Sequence, residues 1–241
     1  MVVSIQDNQD MTTYAFIINY NRLDLPRRMA DYLADCSGIT PVIVDNNSTY
    51  PPLLEYYNTT PHKVERLYSN MGPCAVWTAE LPQKYGVDTH YIITDPDLII
   101  DDVPRDFLHL LQTGLDRYPW AKKAGFSLEI DDLPDTPLNR LVVNHERGAW
   151  TKLDDQFYRA YVDTTFALVR GLIHDLIAIR TAKPYTARHA PWYYTRVEDI
   201  PADELYYIKT SHPVGNYWTK RIAESMGIPN RAHDDAEDKY V

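Results

Sequence analysis

Two carboxylates stand one residue apart in the stretch Tyr91 to Ile100, YIITDPDLII. The apolar run Tyr91-Ile92-Ile93-Thr94 is short and β-branched, which predicts a buried strand, and Asp95-Pro96-Asp97 interrupts it. Carboxylates this close repel each other, and burial adds a desolvation cost unless a cation lies between them. A hard divalent ion with oxygen ligands, Mn²⁺ or Mg²⁺, is the natural candidate. The alternative interpretation is a polar turn that merely ends a strand.

Composition narrows the class of function. The 241 residues suit one domain. The net charge of −10, with no basic run, argues against strong nucleic-acid binding through phosphates, although a nucleotide held through a metal remains compatible with it. The 19 tyrosines and five tryptophans, against five phenylalanines, provide aromatic rings with polar groups. Such rings suit contacts with bases and sugar faces, and they also pack cores.

The cysteines and the hydropathy pattern indicate the cellular compartment in which the protein works. Cys36 and Cys74 form no C-x-x-C motif and no disulfide framework, which favours a reducing compartment. We find no signal-peptide pattern and no transmembrane segment among the apolar stretches. The sequence therefore predicts a soluble, cytoplasmic protein.

The first hundred residues alternate between strand-like and helical patterns. This order predicts an α/β, Rossmann-like and mostly parallel sheet with helices on both faces. Ligands of such sheets bind beyond the carboxyl ends of the strands. The expected strands are 14–20, 40–44, 64–68 and 91–94, and the expected helices are 23–34, 51–57 and 75–85. Four polar turns then meet at one edge of the sheet: Asn19 to Arg22, Asp45 to Ser48, Asn70 to Gly72, and Asp95 to Asp97.

The second half of the chain is less regular. The sequence contains no linker or repeat, so we expect one domain over 1–241, in which a nucleotide-binding half (about 12–100) merges into an irregular acceptor-binding half (about 101–230). Residues 231–241 are acidic and are expected to form a tail. Helices are expected at 107–118, 172–180 and 201–207, and strands at 124–130 and 161–169.

Four segments together resemble a known family. They are FIINYNR at Phe16 to Arg22, IVDNNST at Ile43 to Thr49, SNMG at Ser69 to Gly72 and TDPD at Thr94 to Asp97. In this order they resemble the nucleotide-sugar-binding half of a glycosyltransferase of the A-type (GT-A) fold, nearest to family 2. The resemblance covers roughly the first hundred residues well and the remainder only loosely. It implies a metal-dependent transferase that moves a sugar from a nucleotide donor, expected to be UDP-linked, to a hydroxyl of a glycan or other acceptor.

The resemblance implies donor-binding roles for the first two turns. Tyr20 would stack on the base, within a turn that also contains Asn19 and Arg22. Asp45 would accept a hydrogen bond from the base or the ribose. The alternative for Tyr20 is a strand aromatic that packs on a helix.

The resemblance also implies roles for the other two turns. Asn70 and Gly72 would allow the backbone to approach the nucleotide, although ordinary turn chemistry explains them equally simply. Asp97 would bind the Mn²⁺ or Mg²⁺ that bridges the diphosphate. Asp95 would bind the ribose, or the metal through water.

A histidine near the end of the chain is a further candidate metal ligand. The stretch His212 to Trp218 resembles the H-x-x-G-x-x-K-P-W segment of some retaining A-type enzymes, in which the histidine binds the metal. Tyr217 and Trp218 depart from the K-P-W ending, so the match is partial. The alternative for His212 is an ordinary loop histidine.

An inverting enzyme needs a carboxylate that removes the acceptor proton. Three candidates are present: Asp131-Asp132, Asp163 and Glu198-Asp199. We favour Asp132, because adjacent carboxylates raise one another's pKa. The family resemblance makes Glu198-Asp199 the rival, and helix capping is the structural alternative for that pair. Retention or inversion does not follow from the sequence.

Two other functions compete with glycosyl transfer. A nucleotidyltransferase on a similar fold would make a sugar nucleotide, and such enzymes carry a glycine-rich, basic loop after the first strand. The corresponding loop, Asn21-Arg22-Leu23-Asp24, has no glycine, which counts against that function. A non-catalytic protein that binds a sugar or a nucleotide is the second alternative.

Overall fold

A mixed sheet organises the part of the chain that the computed structural model describes, residues 12–172, 174–211 and 217–229. Within those ranges the strands are β1 (Thr13–Asn19), β2 (Ile39–Asp45), β3 (Lys63–Arg66), β4 (His90–Thr94), β5 (Leu98–Ile99), β6 (Lys123–Leu128), β7 (Thr151–Lys152), β8 (Phe157–Tyr161), β9 (Ala167–Arg170) and β10 (Ile177–His189). They run across the sheet in the order β3-β2-β1-β4-β9-β6-β10-β8-β7, and β5 pairs with β10.

Helices flank this sheet on both faces, as the sequence predicts. Along β1, Ala15 and Ile17 join one apolar cluster, while the alternate residues Phe16 and Ile18 join another on the opposite face. The helices are α1 (Asp24–Ala34), α2 (Pro51–Tyr56), α3 (Ala75–Thr78), α4 (Leu81–Lys84), α5 (Phe107–Arg117), α6 (Pro137–Glu146), α7 (Ala202–Thr210) and α8 (Tyr217–Met226). The first cluster includes residues of α1 and α5, and the second includes residues of α3 and α4.

The predicted parallel half of the sheet is confirmed. Strand β1 pairs in parallel with both β2 and β4, and β2 pairs in parallel with β3. In this register Asn19 lies beside Asp45, so the turns after β1 and β2 leave the sheet at the same edge. The turn after β4 leaves at that edge too, which brings Asp95-Pro96-Asp97 next to them.

The second half completes the same sheet but mixes strand directions. Strand β9 lies antiparallel between β4 and β6, and β10 runs parallel to β6. The short β5, directly after Asp97, pairs antiparallel with the end of β10, so that Leu98 faces His189. The amide of Ala190 donates a 3.0 Å hydrogen bond to the carbonyl of Asp97. The structure is therefore α/β and Rossmann-like, with a sheet to which both halves contribute.

Three expected elements are wrong in part or in whole. The helix expected over 75–85 is divided, because Glu80 adopts a left-handed φ of 50° between α3 and α4. The strand expected over 161–169 is two strands, because a turn closed by Asp163 separates β8 from β9: Thr165 donates to the Asp163 carboxylate from its amide and its hydroxyl.

The third error concerns residues 172–180, where we expect a helix. In the structure the long strand β10 begins at Ile177 and pairs with both β6 and β8. Helices α6 and α8 have no counterpart among the expected elements. The expected tail, 231–241, lies outside the described residues.

The helices also bear on membrane insertion. Among residues 12–172, 174–211 and 217–229, none of the helices combines the length and apolar character that a membrane span requires.

A close contact between β6 and the end of the Asp163 turn gives a stability prediction. A Cβ on Gly125 would lie 2.6 Å from the carbonyl oxygen of Phe166 and 3.2 Å from the Cβ of Ala167. We expect Gly125→Ala to lower the free energy of unfolding by about 1–3 kcal/mol through overpacking. Gly148→Ala is the control, since a Cβ there meets nothing within 4 Å. Urea unfolding measures both variants, and equal effects would contradict the packing argument.

Candidate functional site

A cavity of about 670 Å³ lies at the edge where the parallel strands end. Its size falls within the range of about 300–1,000 Å³ that is usual for ligand sites. Residues from both halves of the chain line it: Ile18, Tyr20, Arg22, Asn46, Asn70, Gly72, Pro73, Cys74, Asp95, Pro96, Asp97, Asp163, Thr164, His174, His189, Tyr207, Ser211, Trp218 and Thr219.

The Asp97 carboxylate is buried, and its two oxygens have different surroundings. Oδ2 lies 3.1 Å from Nη2 of Arg22 and 3.5 Å from Nε2 of His189. Oδ1 is buried and has no hydrogen-bond partner. One oxygen therefore lies against Arg22 and His189, while the other accepts no hydrogen bond.

Burial and neighbouring charges shift the pKa values of the acids and the histidine around the cavity. Removal from water, followed by the charges of Asp163 and Asp97, raises the pKa of Asp95 to about 7. For Asp97, burial alone would raise the pKa, but His189 and Arg22 outweigh it and hold the pKa well below its ordinary value. For His189, burial alone would lower the pKa, and the Asp97 carboxylate reverses this and raises it. A further cation beside Asp95 would relieve the repulsion.

Arg22 connects this carboxylate to helix α7. Its guanidinium donates to both carboxylate oxygens of Glu204, from Nε at 2.5 Å and from Nη2 at 2.9 Å. The ring of Tyr207 covers the guanidinium at 3.4 Å. Arg22 and Glu204 are 4% and 3% exposed, so this ion pair is well shielded from water and salt.

The neighbouring acid, Asp203, holds the beginning of α1. Leu23 occupies the N-cap position of that helix and offers no capping side chain. The Asp203 carboxylate instead accepts from the amides of Leu23 at 2.7 Å and Asp24 at 2.9 Å. A residue from the second half thus supplies the cap that the local sequence lacks.

Asn21 joins three elements at the rim. It adopts a left-handed φ of 58°, which asparagine tolerates better than most residues. The side-chain oxygen Oδ1 accepts hydrogen bonds from the backbone amides of Thr49 and Tyr50, at 2.6 and 3.0 Å. The backbone amide of Asn21 donates to Oγ of Ser48, and its side-chain Nδ2 donates to Oγ1 of Thr210. The turns after β1 and β2 are thereby fixed to each other and to α7.

The turn before β9 brings Asp163 beside Asp95. Because Ile93 on β4 faces Ala167 on β9, the residues that precede Ala167 lie at the same edge as the end of β4. Lys123, fully buried, donates from Nζ to the carbonyl oxygens of Val162, at 3.0 Å, and Asp163. Burial would raise the pKa of Asp163, but hydrogen bonds, led by those from Thr165, lower it.

The acidic side chains of the cavity are too few to bind a metal ion by themselves. Among the described residues, no group of three or more His, Cys, Asp or Glu side chains is arranged to hold a metal by itself. Mg²⁺ is usually bound through one or two carboxylates together with substrate phosphates. Asp97 and Asp95, which line the same cavity, are the residues that would hold such an ion.

Most of the predicted donor-binding residues lie together. Tyr20, Arg22, Asn70, Gly72 and Asp95 line the cavity with Asp97. The Tyr20 ring meets the Tyr207 ring edge-on at 6.3 Å between centroids. Arg22 already forms ion pairs with two carboxylates. It therefore stabilises the arrangement of the site as well as lining the cavity.

Asn19 and Asp45 lie below the cavity and are not among its lining residues. Asn19 Nδ2 donates to the carbonyl of Arg22 and to the hydroxyl of Tyr57. Asp45 is fully buried and accepts from the Ser48 amide and the Tyr57 hydroxyl. Both residues support the turns that form the rim. His212, the other predicted metal ligand, lies outside the described residues.

The predicted bases Asp131 and Asp132 are exposed and lie outside the lining of the cavity. Asp132 accepts from the Tyr193 hydroxyl at 2.6 Å and from Arg188 Nε at 2.9 Å. The expectation that its pKa is raised is wrong: desolvation acts in that direction, but the bonds from Tyr193 and Arg188 lower the pKa. Asp131 pairs with Lys183 at 2.8 Å.

The rival pair Glu198-Asp199 forms an exposed 3₁₀ turn, in which Asp199 pairs with Arg196. Of the three candidate bases, Asp163 is the one that lines the cavity.

Sequence reasoning did not identify His189, Asp203 or Glu204. His189 is brought to Asp97 by the pairing of β5 with β10, for which no local pattern is diagnostic. Asp203 and Glu204 stand in the first turn of a predicted helix, where exposed acids are common. Their burial is what distinguishes them, and burial depends on the fold.

Comparison with known proteins finds no family model that matches this chain and no significantly similar curated protein. A functional assignment therefore depends on the residues and the geometry of the site.

The contacts of Asn21 give a second stability prediction. Asn21→Ala removes the acceptor for two amides and places alanine at positive φ, so we expect a loss of at least about 2 kcal/mol in the free energy of unfolding. Asn47→Ala is the matched control, because Asn47 has a φ of 62° but is exposed, and we expect it to lose about 1 kcal/mol or less. Chemical denaturation measures both variants. Equal losses would show that the side-chain bonds of Asn21 contribute little.

Proposed function

We propose that this chain is a metal-dependent glycosyltransferase of the A-type fold that takes its sugar from a nucleotide donor. The observation that carries the proposal is the buried Asp97, whose Oδ1 has no partner, next to Asp95 in a cavity at the carboxyl ends of parallel strands. The free cysteines Cys36 and Cys74 fit a cytoplasmic site of action.

The nucleotide would lie over the ends of β1 and β2. Tyr20 offers an aromatic face for the base, and the exposed turn at Asn70 and Gly72 allows the backbone to come close. Asn46 holds that turn in place, because it accepts from the Met71 amide and donates to the Gly72 carbonyl, both at 3.1 Å. We expect UDP to be the nucleotide.

The diphosphate would lie at Asp95 and Asp97. These residues would hold Mn²⁺ or Mg²⁺, and the ion, when bound, neutralises the charge that develops on the leaving nucleoside diphosphate. Arg22 and His189 hold Oδ2 of Asp97, which orients the carboxylate. Because β9 follows β4 in the sheet, the sugar would extend toward Asp163 and Thr164.

The acceptor, a glycan or another hydroxyl compound, would meet the sugar on that side. For an inverting reaction we now favour Asp163 as the base over Asp132, since Asp163 lines the cavity. Hydrogen bonds led by those from Thr165 lower its pKa, so the ground for this choice is the position of Asp163 in the cavity and not its basicity.

Binding of a nucleoside diphosphate should depend on the metal. We expect UDP to bind at least about tenfold more tightly with Mn²⁺ than with chelator, because its phosphates and the two carboxylates would otherwise repel each other. Asp97→Asn should lose that dependence. Isothermal calorimetry measures the affinities, with GDP, CDP, ADP and dTDP as further ligands. Equal affinity with and without Mn²⁺ would contradict the metal site.

A thiol reports where the nucleotide binds. Cys74 is exposed and lines the cavity, whereas Cys36 is buried. Saturating nucleotide with Mn²⁺ should slow maleimide modification of Cys74, and Cys74→Ser should remove the fast phase. If the nucleotide binds and Cys74 reacts at an unchanged rate, the nucleotide lies elsewhere.

A product assay separates the competing functions. Transfer of the sugar separates a transferase from a binding protein, and release of pyrophosphate would indicate a nucleotidyltransferase.

The choice of base gives a further prediction. Asp163→Asn should lower the rate of sugar transfer at least about a hundredfold and leave donor affinity nearly unchanged, since a base acts in the transition state. Asp132→Asn and Asp199→Asn are the comparisons and should stay within a few-fold of wild type. If Asp132→Asn loses sugar transfer and Asp163→Asn keeps it, Asp132 is the base, as the sequence predicts. Full activity in all three would indicate a mechanism without such a base.

A further inference from the structure

The unequal surroundings of the two Asp97 oxygens point beyond the residues that would bind the metal. Arg22 and His189 both contact Oδ2, whereas Oδ1 has no partner. A carboxylate rotates about its Cβ–Cγ bond unless its neighbours prevent it. The residue that fixes Arg22 therefore also fixes the plane of the Asp97 carboxylate.

We propose that Glu204 is a positioning residue for the metal site, acting through Arg22 to fix the plane in which the Asp97 carboxylate meets the cavity. This inference rests on the proposed function, because it concerns a metal bound at Asp97. It also couples helix α7, in the second half of the chain, to the diphosphate end of the donor site.

The geometry of Arg22 explains why Glu204 is needed. A guanidinium is a planar group with fixed donor directions. Glu204 accepts from Nε and Nη2 of Arg22 in a two-point pairing, and Nη2 is also the atom nearest to Asp97. The ring of Tyr207 limits movement of the guanidinium out of its plane. With Glu204 in place, Nη2 meets Oδ2 of Asp97 in one orientation.

Groups that orient a metal ligand have measurable effects without touching the metal. Loss of such a partner usually weakens metal affinity by about 10- to 100-fold. A change in net charge would also alter metal affinity, so a test of positioning must keep the charge constant. Glu204→Asp does this: it keeps the carboxylate but withdraws it by one methylene from the guanidinium.

The chain provides a matched control in the adjacent residue. Asp203 is buried on the same helix and also keeps its charge in Asp203→Glu, but it contacts the amides of Leu23 and Asp24 and has no contact with the Arg22 guanidinium. Both substitutions change a buried acid by one methylene. A general loosening of α7 should affect the two variants alike, whereas positioning of Asp97 should affect only Glu204→Asp.

The experiment measures Mn²⁺ binding by electron paramagnetic resonance, with Mn²⁺ alone and with Mn²⁺ plus UDP, and follows thermal unfolding in parallel. We expect Glu204→Asp to weaken Mn²⁺ binding at least about tenfold and to change the spectrum of the bound ion. Asp203→Glu should stay within about twofold of wild type. Arg22→Lys, which also keeps the charge but lacks the planar fork, is the second variant and should reproduce the effect of Glu204→Asp.

The outcomes separate this inference from the proposed function. Wild-type affinity in Glu204→Asp or in a folded Arg22→Lys overturns the positioning role. Equal weakening in Glu204→Asp and Asp203→Glu overturns it as well, since it would show a loss of general stability. If wild-type protein binds no Mn²⁺ with or without UDP, the metal site of the proposed function fails first.

Discussion

A buried arginine constrains the structure more than any other side chain described above. The Arg22 guanidinium is almost fully removed from water and lies between the carboxylates of Glu204 and Asp97. An unpaired charge at this depth would be costly, and breaking such a buried pair typically costs about 3–5 kcal/mol. The turn after β1, the Asp-Pro-Asp turn after β4 and helix α7 must therefore meet in one arrangement. The cavity is the space that this arrangement leaves at the edge of the sheet.

Hydrogen bonds around Arg22 hold the same three elements together. Asp203 caps α1, and Asn21 fixes the turns after β1 and β2 to α7. The apolar strands below supply stability through burial, while these polar contacts determine where the rim lies. Because each contact joins segments far apart in the chain, the rim is rigid only in the complete fold. A site assembled in this way is preorganised for a ligand of fixed shape.

The sequence predicts the parts of the molecule that local patterns determine. The apolar runs that end in Asn19, Asp45 and Thr94 are buried strands followed by polar turns, so their meeting at one edge follows from the parallel order. The sequence does not reveal the partner of Arg22, which lies 182 residues further along the chain. The sequence does not predict β10, the strand that ends at His189, either. Buried and exposed residues do not alternate regularly along β10, and its register with β6 shifts between Thr181 and Thr186. These features depend on tertiary pairing, which overrides local preference.

The acidity of the cavity has a consequence for the proposed function. Asp95, Asp97 and Asp163 line it together, and the chain carries a net charge of −10, so a free nucleoside diphosphate would be repelled. The Arg22 guanidinium offers little compensation, since two carboxylates already share it. A glycine-rich basic loop after β1 would bind phosphates directly. This chain has a different turn at that place, and the arginine of the turn points inward to Asp97 and Glu204. Affinity for a phosphate-bearing donor would then depend on a cation that enters with it, which makes binding of the donor and of the metal a single, coupled event.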